Sequence, residues 1–350
     1  MRAALQPPRA HGTPLPAAEL KTTPEDFHVE EQLSFQPSET GPHWLLRVEK
    51  RMANTRWVAA EIARLAGVPG GEVGYAGMKD RHAVAVQWFS VPKLETTAEY
   101  WSQVHTAEFK VLEVHGNTRK LRRGALSGNR FSIRLRNVTW SREELDLKLN
   151  ALRAHGAPNY FGVQRFGRDG YNLDRVAAWV QSGVVPRGRA ERSFALSAAR
   201  SLVFNAVLGR RVAAGDWSQL APGDLASLDG SSSHFSVAAV DEELRRRLNA
   251  FDIHPSGPLW GRGAPASQGE ALQHELETAR EFSAVAELLA TQGLMQERRA
   301  LRSAIRELSS ERDGSTVSLS FSLGRGQFAT AVLREICELK GTPEFDPDED

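Results

Sequence analysis

The chain has 350 residues, 41% hydrophobic and 25% charged, with a formal net charge of +1 and a single cysteine. This is ordinary globular composition, at a length beyond a typical single domain of roughly 100–200 residues, so two domains are expected. The lone Cys337 excludes an internal disulfide and any cysteine metal cluster, and no apolar run reaches the about 18 residues of a membrane span.

The leader MRAALQPPRAHGTPLPAAEL is broken by prolines and charges where a signal peptide carries an apolar core. The expected location is therefore cytoplasmic, with no membrane partner. NTRWVAAEIARLA at 54–66 places Val58, Ile62 and Leu65 at helical spacing, with Asn54 or Thr55 as cap and Gly67 as stop. In VAVQWFSV, Val84, Val86 and Trp88 share one side of an expected strand. RFSIRLR is the clearest strand of the chain: Phe131, Ile133 and Leu135 point one way, and Arg130, Ser132, Arg134 and Arg136 the other. From Arg119 to Arg136 every charge is positive, so this segment can guide a polyanion or form a solvated strand face.

SREELDLKLNALRA opens on a Ser141–Glu144 capping box and carries Leu145, Leu149 and Leu152 down one helix face. HGAPNYFGVQRFGRDGYN reads as an ordered loop and a boundary. Beyond it, helices are expected near 172–182, near 197–214, and from 270 to about 308 with a break at Gly293. Alternation returns in TVSLSFSL at 316–323, and after a GRG turn QFATAVLREICEL reads as an amphipathic helix. The tail GTPEFDPDED is acidic and proline-bearing, with the composition of a disordered segment. A strand-rich N-terminal part thus has its match at the C-terminus, with a mostly helical segment inserted between them. No exposed heptad stands out, so a monomer is expected.

No phosphate-binding glycine loop, dinucleotide fingerprint, CxxC, HExxH or GxSxG occurs, and the ten histidines lack metal-ligand spacing. What remains is chemistry done by side chains alone, with no metal and no cofactor. The segment GYAGMKDRHAVAVQWFSV sets Asp80 between Lys79 and Arg81, where flanking cations favour an anionic carboxylate. Such a group suits nucleophilic attack at an electrophilic carbon, but spacing alone favours a capping or turn aspartate paired with neighbouring bases. A glycosidase reading would need a second carboxylate, and none is evident. Phe27, Phe131 and Phe328 fit a core or a platform on which an unstacked base rests. Asn129, in SGNRF, fits a turn or a reader of a uracil edge.

GYAGMKDRHAVAVQWFSV, LSGNRFSIRLR, PNYFGVQRFG, SAARSLVFNAVL, SGPLWG and GQFATAVLRE follow in this order over nearly the whole chain. Together they resemble the TruD family of tRNA pseudouridine synthases. The resemblance implies an α+β fold: a pseudouridine synthase catalytic domain, with a mixed, largely antiparallel sheet, interrupted by a mostly helical TruD-specific insertion. The boundaries read as 1–154 and 307–340 for the catalytic domain, 155–306 for the insertion and 341–350 for the flexible tail. The implied activity is isomerisation of uridine to pseudouridine in tRNA, at uridine 13 of the D-arm, without cofactor. The implied nucleophile is Asp80, with Lys21 as its charge partner, and Phe27, Asn129, Phe131 and Phe328 contact the substrate. Lys79, Arg81, Arg130, Arg134, Arg136 and the 119–123 cluster are the candidates for contacts to the RNA backbone. The rival reading is a tRNA-binding folding chaperone without catalysis, and a base-excising glycosidase is a third.

Overall fold

The computed structural model describes residues 5–341; the acidic tail lies outside them. The described chain forms two compact units, one of 16–140, 306–326 and 338–341, the other of 5–15, 141–305 and 327–337.

The first unit is built on a ten-stranded mixed sheet. Its strands are β1 (Leu15–Leu20), β2 (Phe27–Leu33), β3 (His43–Arg51), β4 (Gly74–Tyr75), β5 (Val84–Pro92), β6 (Phe109–Asn117), β7 (Leu126–Arg136), β8 (Arg306–Asp313), β9 (Thr316–Gly324) and β10 (Cys337–Lys340). The main spatial order is β8-β9-β7-β2-β5-β3-β6, with β1 joining β7 and β10, and β4 joining β5. β2 and β5 pair in parallel, whereas the registers of β2 with β7, β7 with β9 and β3 with β5 are antiparallel.

Register fixes which side chains share a face, because cross-strand partners point the same way. Val29 lies opposite Phe131 and Ala85, Phe131 opposite Phe321, and Lys50 opposite Ala85. These residues belong to the covered face, where the helix Thr55–Ala66 packs Val58 and Ile62 on Leu46, Val48, Phe89 and Phe109. That helix begins where Asn54 accepts a hydrogen bond from the Arg56 amide and ends at Gly67 in the left-handed conformation, φ 66°. The opposite face carries His28, Glu30, Glu49, Arg51, Arg130, Ser132 and Arg134, and is polar along β3, β2, β7 and β9.

The second unit joins helices to a small sheet. The helix Arg142–His155 opens with the Ser141–Glu144 capping box, both hydrogen bonds being made. The helix Arg189–Ala214 packs against Tyr171–Ser182 and, around Leu202 and Val203, against the helices Gly269–Glu281 and Ser283–Thr291. Four strands (His234–Ser236, Leu225–Leu228, Ile253–Leu259 and Glu297–Ala300) form a second sheet in that order.

Two expectations fail here. The helix read from 270 to about 308 ends at Thr291, and the chain then forms strands at Glu297–Ala300, Arg302–Ser303 and β8. Leu301, Ile305 and Leu308 have helical spacing, but pairing with Ile253–Leu259, Ala157–Pro158 and β9 overrides that local preference. The last helix also stops earlier, at Ile336, where β10 begins.

Candidate active site

Asp80 lies in the irregular segment between β4 and β5. Its Oδ2 accepts a hydrogen bond of 2.5 Å from Lys21 Nζ, in a pair whose side chains are 6% exposed for the lysine and 30% for the aspartate. The other oxygen, Oδ1, accepts no hydrogen bond among the described residues, so the carboxylate is anchored at one oxygen and open at the other. Lys21 follows the end of β1 with φ 58°, a left-handed conformation unfavourable for a side chain of this size. Its ammonium also stands 4.3 Å from the centroid of the Phe27 ring. One buried cation therefore links the acid to an aromatic platform.

That platform continues across the sheet. Phe27 meets Phe131 edge-on at 6.0 Å, and Phe131 stacks on Phe321 at 5.4 Å. All three rings are buried. Asn129 shares this face, opposite Glu31 on β2 and Leu323 on β9. Its Oδ1 is buried without a hydrogen-bond partner, an acceptor left open where polar groups are normally satisfied. The preceding residue must be small: a Cβ on Gly128 would fall 2.2 Å from the Leu323 carbonyl oxygen.

Several expected RNA contacts are placed elsewhere. Lys79 does not flank Asp80 as a surface cation; it is turned inward, with Nζ 2.5 Å from the buried Glu31. Chain adjacency gave no guide to side-chain direction in this irregular segment. Arg130 and Arg134 alternate with Phe131 along β7 and so occupy the polar face, away from Phe27 and Phe131. Arg130 pairs there with Glu307. Arg136 holds the fully buried Asp26 through two hydrogen bonds of 2.8 and 2.7 Å. Burial works to raise the Asp26 pKa, but Arg136 and the Thr23 amide outweigh it and hold the group below the usual range. Arg81 is exposed. Arg119, Arg122 and Arg123 are also exposed, on a segment tied to the approach to Asp80 by the Gly124 amide bonding Ala76 O and by Arg123 bonding the Tyr75 hydroxyl.

Phe328 belongs to the second unit, at the N-cap of the helix Ala329–Ile336. Its ring meets Phe161 at 6.2 Å, and Phe161 in turn lies 4.2 Å from the Arg299 guanidinium. Burial, with Arg165 nearby, pushes the Arg299 pKa down to about 9. Among the described residues no group of three His, Cys, Asp or Glu is arranged to hold a metal ion.

Sequence reasoning missed a buried polar set behind Asp80: Glu31, Lys50, Thr55 and Gln87. A signal existed. Lys50 has the strand parity of Leu46 and Val48, Gln87 that of Ala85 and Phe89, and Glu31 that of Phe27 and Val29. A polar residue on an apolar parity marks a buried polar contact.

The whole backbone resembles a crystal structure of a putative tRNA pseudouridine synthase D from Methanosarcina mazei, with a TM-score of 0.75 over 95% of this chain and 96% of that one, at 20% identity. The two chains thus share a fold. A family model for tRNA pseudouridine synthase D (TruD) matches residues 10–185 and 190–336. Curated relatives of the same description are 45% identical in Nitrosococcus oceani, covering 92% of this chain and 91% of the relative, and 42% identical in Pseudomonas aeruginosa, covering 96% and 94%. The chain belongs to the TruD family of tRNA pseudouridine synthases.

Proposed function

We propose that this chain converts uridine 13 in the D-arm of tRNA to pseudouridine, with Asp80 as nucleophile. The observation that carries the reading is the Lys21–Asp80 pair beside the Phe27–Phe131 platform, with the unpartnered Asn129 acceptor on the same sheet face. The reaction breaks the bond from C1′ to N1 of uracil and forms one from C1′ to C5. N1 gains a proton and the C5 hydrogen goes to solvent, so the change is an isomerisation needing no oxidant. Asp80 begins it by attack at C1′, by addition at C6, or by removing the 2′ proton to give a glycal. Lys21 keeps one carboxylate oxygen fixed while the other faces the substrate.

The target base reacts only once unstacked, at a cost of a few kcal/mol. Stacking on aromatic side chains returns about 1–3 kcal/mol per base. In this reading Phe27 and Phe131 supply part of that beside Asp80. Asn129 Oδ1 accepts from N3–H of uracil, which adenine and cytosine cannot offer at that edge. Arg81 and the 119–123 cluster carry backbone phosphates, so affinity falls steeply as salt rises. Recognition then rests on the folded shape of the tRNA more than on base reading. The working form is a cytoplasmic monomer; among the described residues no helix is long and apolar enough to cross a membrane.

Mass-resolved mapping of pseudouridine in total tRNA from cells with and without this protein tests the position. Loss at uridine 13 alone is expected; an unchanged position 13 would refute the assignment.

A further inference from the structure

We infer that Lys50 is a positioning residue for Asp80, holding the reactive loop from beneath. The inference rests on Asp80 being the nucleophile. Lys50 is 0% exposed. Its ammonium donates to three main-chain carbonyls: Ala53 O at 2.7 Å, Asp80 O at 2.8 Å and Lys79 O at 3.3 Å. Two lysines thus converge on one residue from different parts of the chain. Lys21, after β1, grips the Asp80 carboxylate, while Lys50, on β3, grips its carbonyl.

The loop needs this because it runs in neither helix nor strand, so its peptide groups lack ladder partners and burial would leave them unsatisfied. Two further buried side chains complete the set. The Lys79 amide donates to Thr55 Oγ1 at 3.1 Å, the Thr55 hydroxyl donates to Gln87 Oε1 at 2.8 Å, and Gln87 Nε2 donates to Gly77 O at 3.3 Å. Lys79 itself is drawn inward by Glu31, whose second oxygen accepts from the Trp88 amide. Side chains from β3, β5, β2 and the start of the Thr55–Ala66 helix all end on the few residues that carry Asp80.

Stability alone does not explain a lysine here. Taking an ammonium out of water is expensive, and well-packed apolar replacements of buried charges are often neutral or stabilising. Leu46 and Val48 show that the same strand face accepts aliphatic side chains. What an aliphatic residue cannot do is fix the carbonyls of residues 79 and 80, and with them the direction of the Asp80 carboxylate.

The test measures single-turnover release of hydrogen from C5 of uridine and, separately, tRNA affinity, for Lys50→Met, Thr55→Val and Asp80→Asn. Displacing a reactive group by about 1 Å costs roughly 100-fold in rate. Lys50→Met is therefore expected to lose about that factor while binding tRNA as the parent does. Thr55→Val should lose about tenfold, close to the loss of a single interaction near 1.4 kcal/mol. A folded Lys50→Met that turns over at the parent rate overturns the inference, as does a loss shared equally between rate and affinity. Should Lys50→Met fail to fold, Thr55→Val decides: a slower step at unchanged affinity upholds the role, and an unchanged rate removes it. Asp80→Asn separates the two readings. If it is inactive while Lys50→Met is fully active, only the Lys50 role falls; if Asp80→Asn is itself active, the assignment of the nucleophile falls first.

Discussion

Glu30 and Glu31 are neighbours on one strand with the same chemistry, yet they do different work because β2 turns them to opposite faces. Glu30 lies on the polar face, pairing with Arg47, both side chains being a quarter to a third exposed. Glu31 lies on the covered face, its side chain wholly buried, with Lys79 on one oxygen and the Trp88 amide on the other. The same contrast holds across the sheet. The polar face is laced with ion pairs in water, Arg51 with Glu25, Lys110 with Glu49 and Arg130 with Glu307. The covered face spends its few polar side chains on the loop that carries Asp80. Polar residues are informative in proportion to how much it costs to put them where they are.

The contrast can be broken from either side. On the covered face Lys21→Met should lower the single-turnover rate about 100-fold, since a carboxylate freed from its anchor samples unproductive directions. An unchanged rate would leave Lys21 with a structural role only. On the same face, Glu31→Gln strands the Lys79 ammonium in the interior and should destabilise the fold by about 3 kcal/mol, whereas Glu30→Gln should cost less than about 1 kcal/mol, as exposed pairs do. Equal losses in denaturant melts of the two variants would erase the distinction between the faces. The smallest effect is expected for Arg134→Ala, on the polar face among His28, Ser132 and Ser320. Its tRNA affinity and salt dependence should match the parent's; a slope lower by about one would mean that a phosphate reaches this face.

Much of this architecture is written locally. The alternation in RFSIRLR, the capping box at Ser141 and Glu144, and the Asn54 and Gly67 ends of the first long helix each follow from nearest-neighbour chemistry, and β7 and the two helices have the expected form. The same alternation turns Phe131 and the arginines of β7 to opposite sides of the sheet. The strands after Gly293 were illegible because their pairing partners lie far off in the chain, and short, charged, helix-spaced segments give no local sign of them. At the site, Asp80 stood out by its charged neighbours, but its actual partner is Lys21, 59 residues away. Lys79, next to it, points into the interior instead. Sequence distance hides such contacts, and the resemblance to a family supplied what spacing could not.

The account turns on Asp80, and the most direct test is release of the C5 hydrogen from tRNA labelled at C5 of uridine, by the parent and by Asp80→Asn under single-turnover conditions. The account predicts complete release by the parent and none by a variant that still folds and still binds the tRNA. Release by Asp80→Asn at the parent rate would contradict it.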